Sequence, residues 1–316
     1  MRPGMQAGGD EPAASGANAS SSSCPLCEGR ESETPPEVYA IRASGVPDSP
    51  GWIVRAVPNK YPLLAPERGV EAVDPLEHGR GEPELLASGS ASGAHEVIVH
   101  APKHHLSLAD LEPDQFSVAI EAWRARISAH DDAPYVHLSV NEGRRAGASL
   151  EHTHAQLYAL PFVPALVARE RERFTAYSDR TQGRNLLEDV IQEEVRRRER
   201  IVAIDDEAVA VAPFAARVPF HVVLAPRRPA ARFADDGPLG GRLLHQVLNR
   251  LGAALGTLPP LNMWVRTAPR DAAHFCWRIE IMPRLAQLAG LEIGTGVHLN
   301  VLAPEDAAQR LRDAEQ

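Results

Sequence analysis

A weak internal repeat narrows the possible folds of this chain more than any other feature. His95-Glu-Val-Ile-Val-His-Ala-Pro-Lys-His-His-Leu-Ser-Leu-Ala-Asp110 resembles Phe220-His-Val-Val-Leu-Ala-Pro-Arg-Arg-Pro-Ala-Ala-Arg-Phe-Ala-Asp235, each a strand leading toward a helix. Helical patterns follow over 112–130 and 236–256, one in each copy. A later strand, Arg278-Ile-Glu-Ile-Met-Pro283, alternates with period two, as Leu150 to Leu160 does in the first copy. Counting back from Pro161 and Pro283 sets His274 opposite His152, Cys276 opposite His154 and Arg278 opposite Gln156. The fold expected is α+β and duplicated: two antiparallel half-barrel sheets with helices outside. Residues 1–23 form a tail, 24–164 a first half, 165–200 connecting helices and 201–316 a second half that has lost its chemistry. Asn185-Leu-Leu-Glu-Asp-Val-Ile-Gln-Glu-Glu-Val is the clearest amphipathic run of the connecting segment.

The first half carries the chemistry in Asn141-Glu-Gly-Arg-Arg-Ala-Gly-Ala-Ser-Leu-Glu-His-Thr-His-Ala-Gln156. Gly143, Gly147 and the small residues between them permit tight turns in which several N–H groups can face one anion, and Ser149 adds a hydroxyl donor. If the following residues are extended, His152, His154 and Gln156 share one face. An imidazole beside an anion cradle can attack phosphorus, since a covalent phosphoimidazole splits one difficult displacement into two. Alternating histidines also occur in metal sites and on solvated strands.

Composition excludes several classes. With 44% apolar and 24% charged residues, the 316-residue chain reads as an ordinary globular protein. A net charge of −9 argues against a nucleic-acid partner, and no stretch is long and apolar enough to span a membrane. The Gly, Ala and Ser-rich residues 1–23 lack an apolar signal core and read as a disordered tail. Three cysteines fit a reducing cytoplasm. Cys24-x-x-Cys27 alone suits a redox pair or a metal, and zinc fits better, because the pair opens on coil and the third cysteine, Cys276, lies far away.

The pattern Asn-x-Gly-x-x-Ala-Gly-Ala-Ser-Leu-x-His-x-His-x-Gln resembles the active-site signature of the galactose-1-phosphate uridylyltransferase family, the transferase branch of the histidine-triad superfamily. Cys24-Pro-Leu-Cys27, Asn59-Lys-Tyr-Pro62, His95 to His104 and Glu292-Ile-Gly-Thr-Gly296 match as well. The resemblance implies that His154 is the nucleophile, that Gln156 holds the transferred phosphoryl group, and that Ser149 and Gln156 offset its developing charge. It implies Asn59, Asn141, Gly147 and Ser149 as further substrate contacts, and one structural zinc on Cys24, Cys27, His104 and His152, with His105 the rival of His104. Hydrolases of the superfamily resemble His-x-His-x-His; Gln156 cannot titrate, which favours transfer and ping-pong kinetics.

The function implied is movement of a nucleoside monophosphate, UMP first, between a nucleotide sugar and a hexose 1-phosphate, in the cytoplasm and in a homodimer. The alternatives are a nucleotide-sugar phosphorylase that uses inorganic phosphate and a zinc-stabilised protein that only binds nucleotide. Arg278 and Glu280 stand where some relatives carry histidines of a second metal site and only Glu170 matches, so no second metal is expected.

Overall fold

The computed structural model describes residues 23–65, 91–237 and 239–314; the expected tail, Ser23 apart, lies outside them. The first copy of the repeat supplies β1 (Tyr39–Arg42), β2 (Trp52–Pro58), β3 (Ala94–Val99), β4 (Tyr135–Glu142) and β5 (His154–Leu160). The second supplies β6 (Ile201–Ile204), β7 (Ala208–Val211), β8 (Val222–Pro226), β9 (Leu261–Arg266) and β10 (Arg278–Pro283). All pair antiparallel in one ten-stranded sheet of order β1-β2-β3-β5-β4-β9-β10-β8-β7-β6. From its outer edge inward each half therefore has the same connectivity, three successive strands and then the last two interchanged. The two expected sheets meet edge to edge through β4 and β9, where Leu138 pairs Val265.

Alternation along the strands divides the sheet into two faces. Val54, Ile98, Leu138, Leu157, Val265, Ile279 and Leu224 point to one face and join a single core with Phe116, Ile120 and Trp123 of α1 (Pro113–Ser128) and Leu244, Val247 and Leu251 of α4 (Gly241–Leu255). Pro113 opens α1 at the position where its missing N–H costs nothing, and Gly256, at φ +77°, closes α4 in the left-handed region. Ala307, Ala308 and Leu311 of α6 (Pro304–Asp313), which follows a short α5 (Gly290–Thr295), complete that layer.

The opposite face differs between the halves. Over the second half, Ile191 of α3 (Leu186–Arg197) covers Val209, Val211, Val223 and Ala225, and Phe174 of α2 (Ala165–Arg180) packs on Phe275 and Cys276. Asn185 caps α3 by accepting from the N–H groups of Leu187 and Glu188. Over the first half this face carries His154, Gln156 and Tyr158 instead.

Strand pairing corrects the register inferred from the prolines. With the Ala-Pro pairs Ala101-Pro102 and Ala225-Pro226 superposed, one residue from the end-to-end alignment of the repeat, Val223 takes the place of Val99; Val99 pairs His154, whereas Val223 pairs Glu280. Glu280, and not Cys276, is thus the counterpart of His154. Proline positions mislead because Pro161 lies beyond β5 while Pro283 is the last residue of β10. Cys276 is buried against Phe174 and Phe275, and burial pushes its thiol up to about 11, so it is a packing residue.

Candidate active site and metal centre

Facing residues on adjacent strands share a face, so the pairing lays out the site in rows. Val97, Gln156, Ser139, Trp264 and Glu280 form one row across β3, β5, β4, β9 and β10. His95, Tyr158 and His137 form the next, with the His95 and Tyr158 rings stacked at 4.3 Å. His154 heads β5 on the same face, and Asn141 and Asn262 pair beside it across the junction of the halves.

His154 is buried, and the carbonyl of His152 lies 2.7 Å from its Nδ1. A carbonyl only accepts, so Nδ1 carries the proton and Nε2 keeps its lone pair. Burial holds this imidazole below its ordinary pKa, against the opposing pull of that hydrogen bond, so the ring is neutral at pH 7. A neutral imidazole with a fixed tautomer and a free Nε2 is a prepared nucleophile.

The loop before β5 departs from the expected cradle. Gly143, at φ +79°, sits against Pro260, where a Cβ would come within 3.0 Å. The N–H groups of Ala146 and Ala148 donate to the Gly143 carbonyl and that of Gly147 to the Arg144 carbonyl, so three amides expected to face an anion are spent inside the turn. Donors for a phosphate here would be the exposed Ser149 hydroxyl, Arg144 and Arg145. Gly147, at φ +91°, has open space where its Cβ would be. Asn141, His154 and Gln156 lie together on the sheet, and Asn59 is 3.1 Å from His95, the neighbour of Gln156; Gly147 and Ser149 stand out on the loop.

Several residues that the sequence reading passed over hold this frame. Asn262 of the second half donates from Nδ2 to Asn141 Oδ1 at 2.7 Å and to the Ala146 carbonyl at 2.8 Å, tying loop to sheet. Buried Glu142 accepts from the Leu108 N–H at 2.7 Å, the Ser107 hydroxyl at 2.7 Å and the Thr153 hydroxyl at 3.3 Å. Burial pushes its carboxyl up to about 7, and these donors pull the other way. Trp123 Nε1 donates to His100 Nε2 at 3.0 Å, which leaves His100 Nδ1 to donate to Thr153 Oγ1 at 3.0 Å. The residue between the two histidines is therefore locked from α1 on one side and from Glu142 on the other. Glu142 lay inside the quoted motif, but Asn262 and Trp123 carry no local signal, since their partners are distant in sequence.

Cys24, Cys27, His104 and His152 converge, with one ligand atom from each lying within 4.8 Å of the others. Both cysteine sulfurs lie 3.6 Å from His152 Nδ1, and Cys27 Sγ lies 3.6 Å from His104 Nδ1. A tetrahedral ion with bonds of about 2.3 Å to sulfur and about 2.05 Å to nitrogen requires S to N edges near 3.6 Å, so these residues fit a metal ion. His152 Nε2 donates to the Ala101 carbonyl at 2.9 Å, turning Nδ1 toward the sulfurs as a second-shell partner would. Burial pushes His152 down to about 4, so its imidazole is the neutral form a metal takes. His105 gives its carbonyl to the Thr153 N–H and is not in the cluster. Among the described residues no second such cluster occurs. At the corresponding place in the second half, Glu170 pairs Arg278 at 2.9 Å and Arg266 at 3.4 Å, and Glu280 pairs Arg278 and Arg217.

The fold recurs in known proteins. Residues 82–315 match the family model described as a domain of unknown function, DUF4921. The chain is 32% identical to ADP-glucose phosphorylase of Arabidopsis thaliana over 94% of its length and 83% of that protein. It is 27% identical to galactose-1-phosphate uridylyltransferase of Thermotoga maritima, over 82% of this chain and 86% of that one. The chain belongs to the galactose-1-phosphate uridylyltransferase family. The crystal structure of the Arabidopsis phosphorylase with bound ADP-glucose superimposes with a TM-score of 0.78 at 28% identity, covering 93% of this chain and 91% of that one. Membership in the uridylyltransferase family thus rests on sequence and fold together, and the duplicated sheet is the scaffold it shares. No described helix is long and apolar enough to cross a membrane.

Proposed function

We propose that this chain is a nucleotidyltransferase that moves a nucleoside monophosphate from a nucleotide sugar to a phosphate-bearing acceptor through a covalent nucleotidyl-His154 intermediate. The observation that carries the reading is the buried, neutral His154 with Nδ1 committed to the His152 carbonyl and Nε2 free. Nε2 attacks the α-phosphorus, a P–N bond forms, and the P–O bond to the sugar phosphate breaks with its electron pair leaving on sugar 1-phosphate. An oxygen of the acceptor then attacks phosphorus, and the P–N pair returns to Nε2. Gln156, the Ser149 hydroxyl and the loop arginines supply the charge stabilisation, with Asn59 and Asn141 as further substrate contacts.

Inorganic phosphate is the acceptor that the similarities support best, with an ADP-sugar as donor and nucleoside diphosphate as product. They support it over the hexose 1-phosphate and UMP expected first, because the match to the ADP-glucose phosphorylase is both the longer and the higher in identity of the two reported. Hexose 1-phosphate stays as the second reading on the strength of the uridylyltransferase relatives. Cys24, Cys27, His104 and His152 would hold a structural zinc. With all four positions taken by protein, the ion would pin the N-terminal knuckle to the head of β5 and leave substrate no position on it.

Intact-protein mass spectrometry of wild type and His154→Ala, incubated separately with ADP-, UDP- and GDP-sugars, tests the mechanism. An adduct on wild type alone is expected, its mass naming the base. An adduct of equal yield on the variant overturns the assignment of His154. Nucleoside diphosphate formed only when phosphate is added identifies the phosphorylase; exchange of label between sugar phosphates identifies the transferase.

A further inference from the structure

Gln156 has a side chain whose two ends do opposite things: its NH2 donates to a phosphoryl oxygen, whereas its carbonyl can accept a hydrogen bond from an incoming water and so orient it. Which end faces the reacting phosphorus decides whether the residue assists transfer or lets water in. The surroundings settle the orientation. The Leu63 backbone N–H lies 3.2 Å from His95 Nδ1 and can only donate, so Nδ1 is the acceptor and His95 carries its proton on Nε2. That Nε2 is 3.1 Å from Gln156 Oε1, and the Tyr158 hydroxyl donates to the same oxygen at 2.6 Å. Both lone pairs of the Gln156 carbonyl are taken, and the reversed amide would set an NH2 hydrogen against the proton on His95 Nε2. Tyr158 is itself fixed by stacking on His95 at 4.3 Å. The Asn59 amide nitrogen also lies 3.1 Å from His95 Nε2, but in this tautomer both groups are donors and do not hydrogen-bond.

We propose that His95 and Tyr158 are positioning residues that lock the Gln156 carbonyl away from the reacting phosphorus, so that its NH2 steadies the nucleotidyl group and water gains no acceptor beside the intermediate. The proposal rests on the nucleotidyl-His154 reading above. Hydrolysis of the intermediate would have water oxygen form the new P–O bond, the P–N pair return to His154 Nε2 and the water proton go to solvent, with an unlocked Gln156 carbonyl orienting that water by accepting its hydrogen bond. Holding that carbonyl elsewhere is what lets the intermediate wait for its second substrate.

The test uses the isolated nucleotidyl enzyme. Adduct prepared on wild type, Tyr158→Phe, His95→Gln and His95→Ala/Tyr158→Phe is mixed with buffer alone or with the acceptor that discharges the wild-type adduct, and nucleoside monophosphate is measured against transfer product. Tyr158→Phe removes one hydroxyl without changing shape and so reads out even if the double variant folds poorly. The expected result is a rise of about tenfold in the ratio of hydrolysis to transfer for the double variant, a smaller rise for Tyr158→Phe, and a ratio near wild type for His95→Gln, whose amide can still donate. Donor KM should stay within about twofold, because the contact acts after binding. Ratios equal to wild type in Tyr158→Phe and the folded double variant overturn the positioning role and leave the covalent mechanism standing; a wild type that forms no adduct with any donor overturns both.

Discussion

Asn262 gives the most discriminating prediction, because it lies in the half of the chain that does not carry His154 and Gln156. Its amide hydrogens go to Asn141 Oδ1 at 2.7 Å and to the Ala146 carbonyl at 2.8 Å, so one side chain ties the loop to the sheet. A neutral hydrogen bond is worth about 1 kcal/mol net, and losing both is about 2 kcal/mol, or roughly thirtyfold in an equilibrium between ordered and disordered loop. Asn262→Ala should therefore lower kcat/KM for the nucleotide sugar by roughly 10- to 50-fold. Asn262→Asp should do worse, on the order of 100-fold, since a carboxylate offers neither proton and adds negative charge beside an anionic substrate. The cost in thermal stability should be only about 2–4 °C in a chain this long. Steady-state kinetics with the donor that labels wild type, together with thermal unfolding, provide the measurement. If both variants keep kcat/KM within twofold of wild type, the clamp is irrelevant to function and the loop finds its conformation without the second half.

Other perturbations follow from the same contacts. Cys27→Ser and Cys24→Ser should each lower bound zinc from about one ion per chain, the number the four-ligand geometry allows, and elemental analysis showing undiminished metal in both would exclude this ligand set. Glu96 is buried on the helix face; burial alone would raise its carboxyl, but hydrogen bonds from His130 at 2.7 Å and Arg126 at 2.7 and 2.8 Å outweigh it and hold the pKa below its ordinary value. A depressed carboxyl stabilises the fold above its unfolded value near 4.3 and loses that contribution as pH falls through the folded value. Glu96→Gln should therefore flatten the acid limb of stability against pH, and an unchanged acid limb in denaturant titrations would exclude a net contribution from this cluster. Leu157→Ala, which empties a fully buried site between Gln156 and Tyr158, should cost about 2–5 kcal/mol in urea unfolding; a loss below 1 kcal/mol would mean that the core collapses around it.

Sequence nominated the candidate site because the pattern that marks it is local. His154 and Gln156 share a face by strand alternation alone, and Cys24 and Cys27 are two positions of one turn, so residue type and spacing suffice to nominate them. The repeat carried the duplicated topology for the same reason, each copy being a strand with a helix that must cover its apolar side. What sequence left open are relations between residues far apart in the chain. The equivalence of Glu280 with His154 is set by hydrogen-bonded register and not by proline positions. The loop amides that the glycines would free for an anion are used within the turn, which residue type alone does not decide. The closing of the metal cluster by His104, the clamp from Asn262 and the lock on Gln156 by His95 and Tyr158 exist only once β3, β5, β4 and β9 lie side by side. Local pattern determines what a side chain can do; the sheet decides what it is held against, and so which of its abilities it uses.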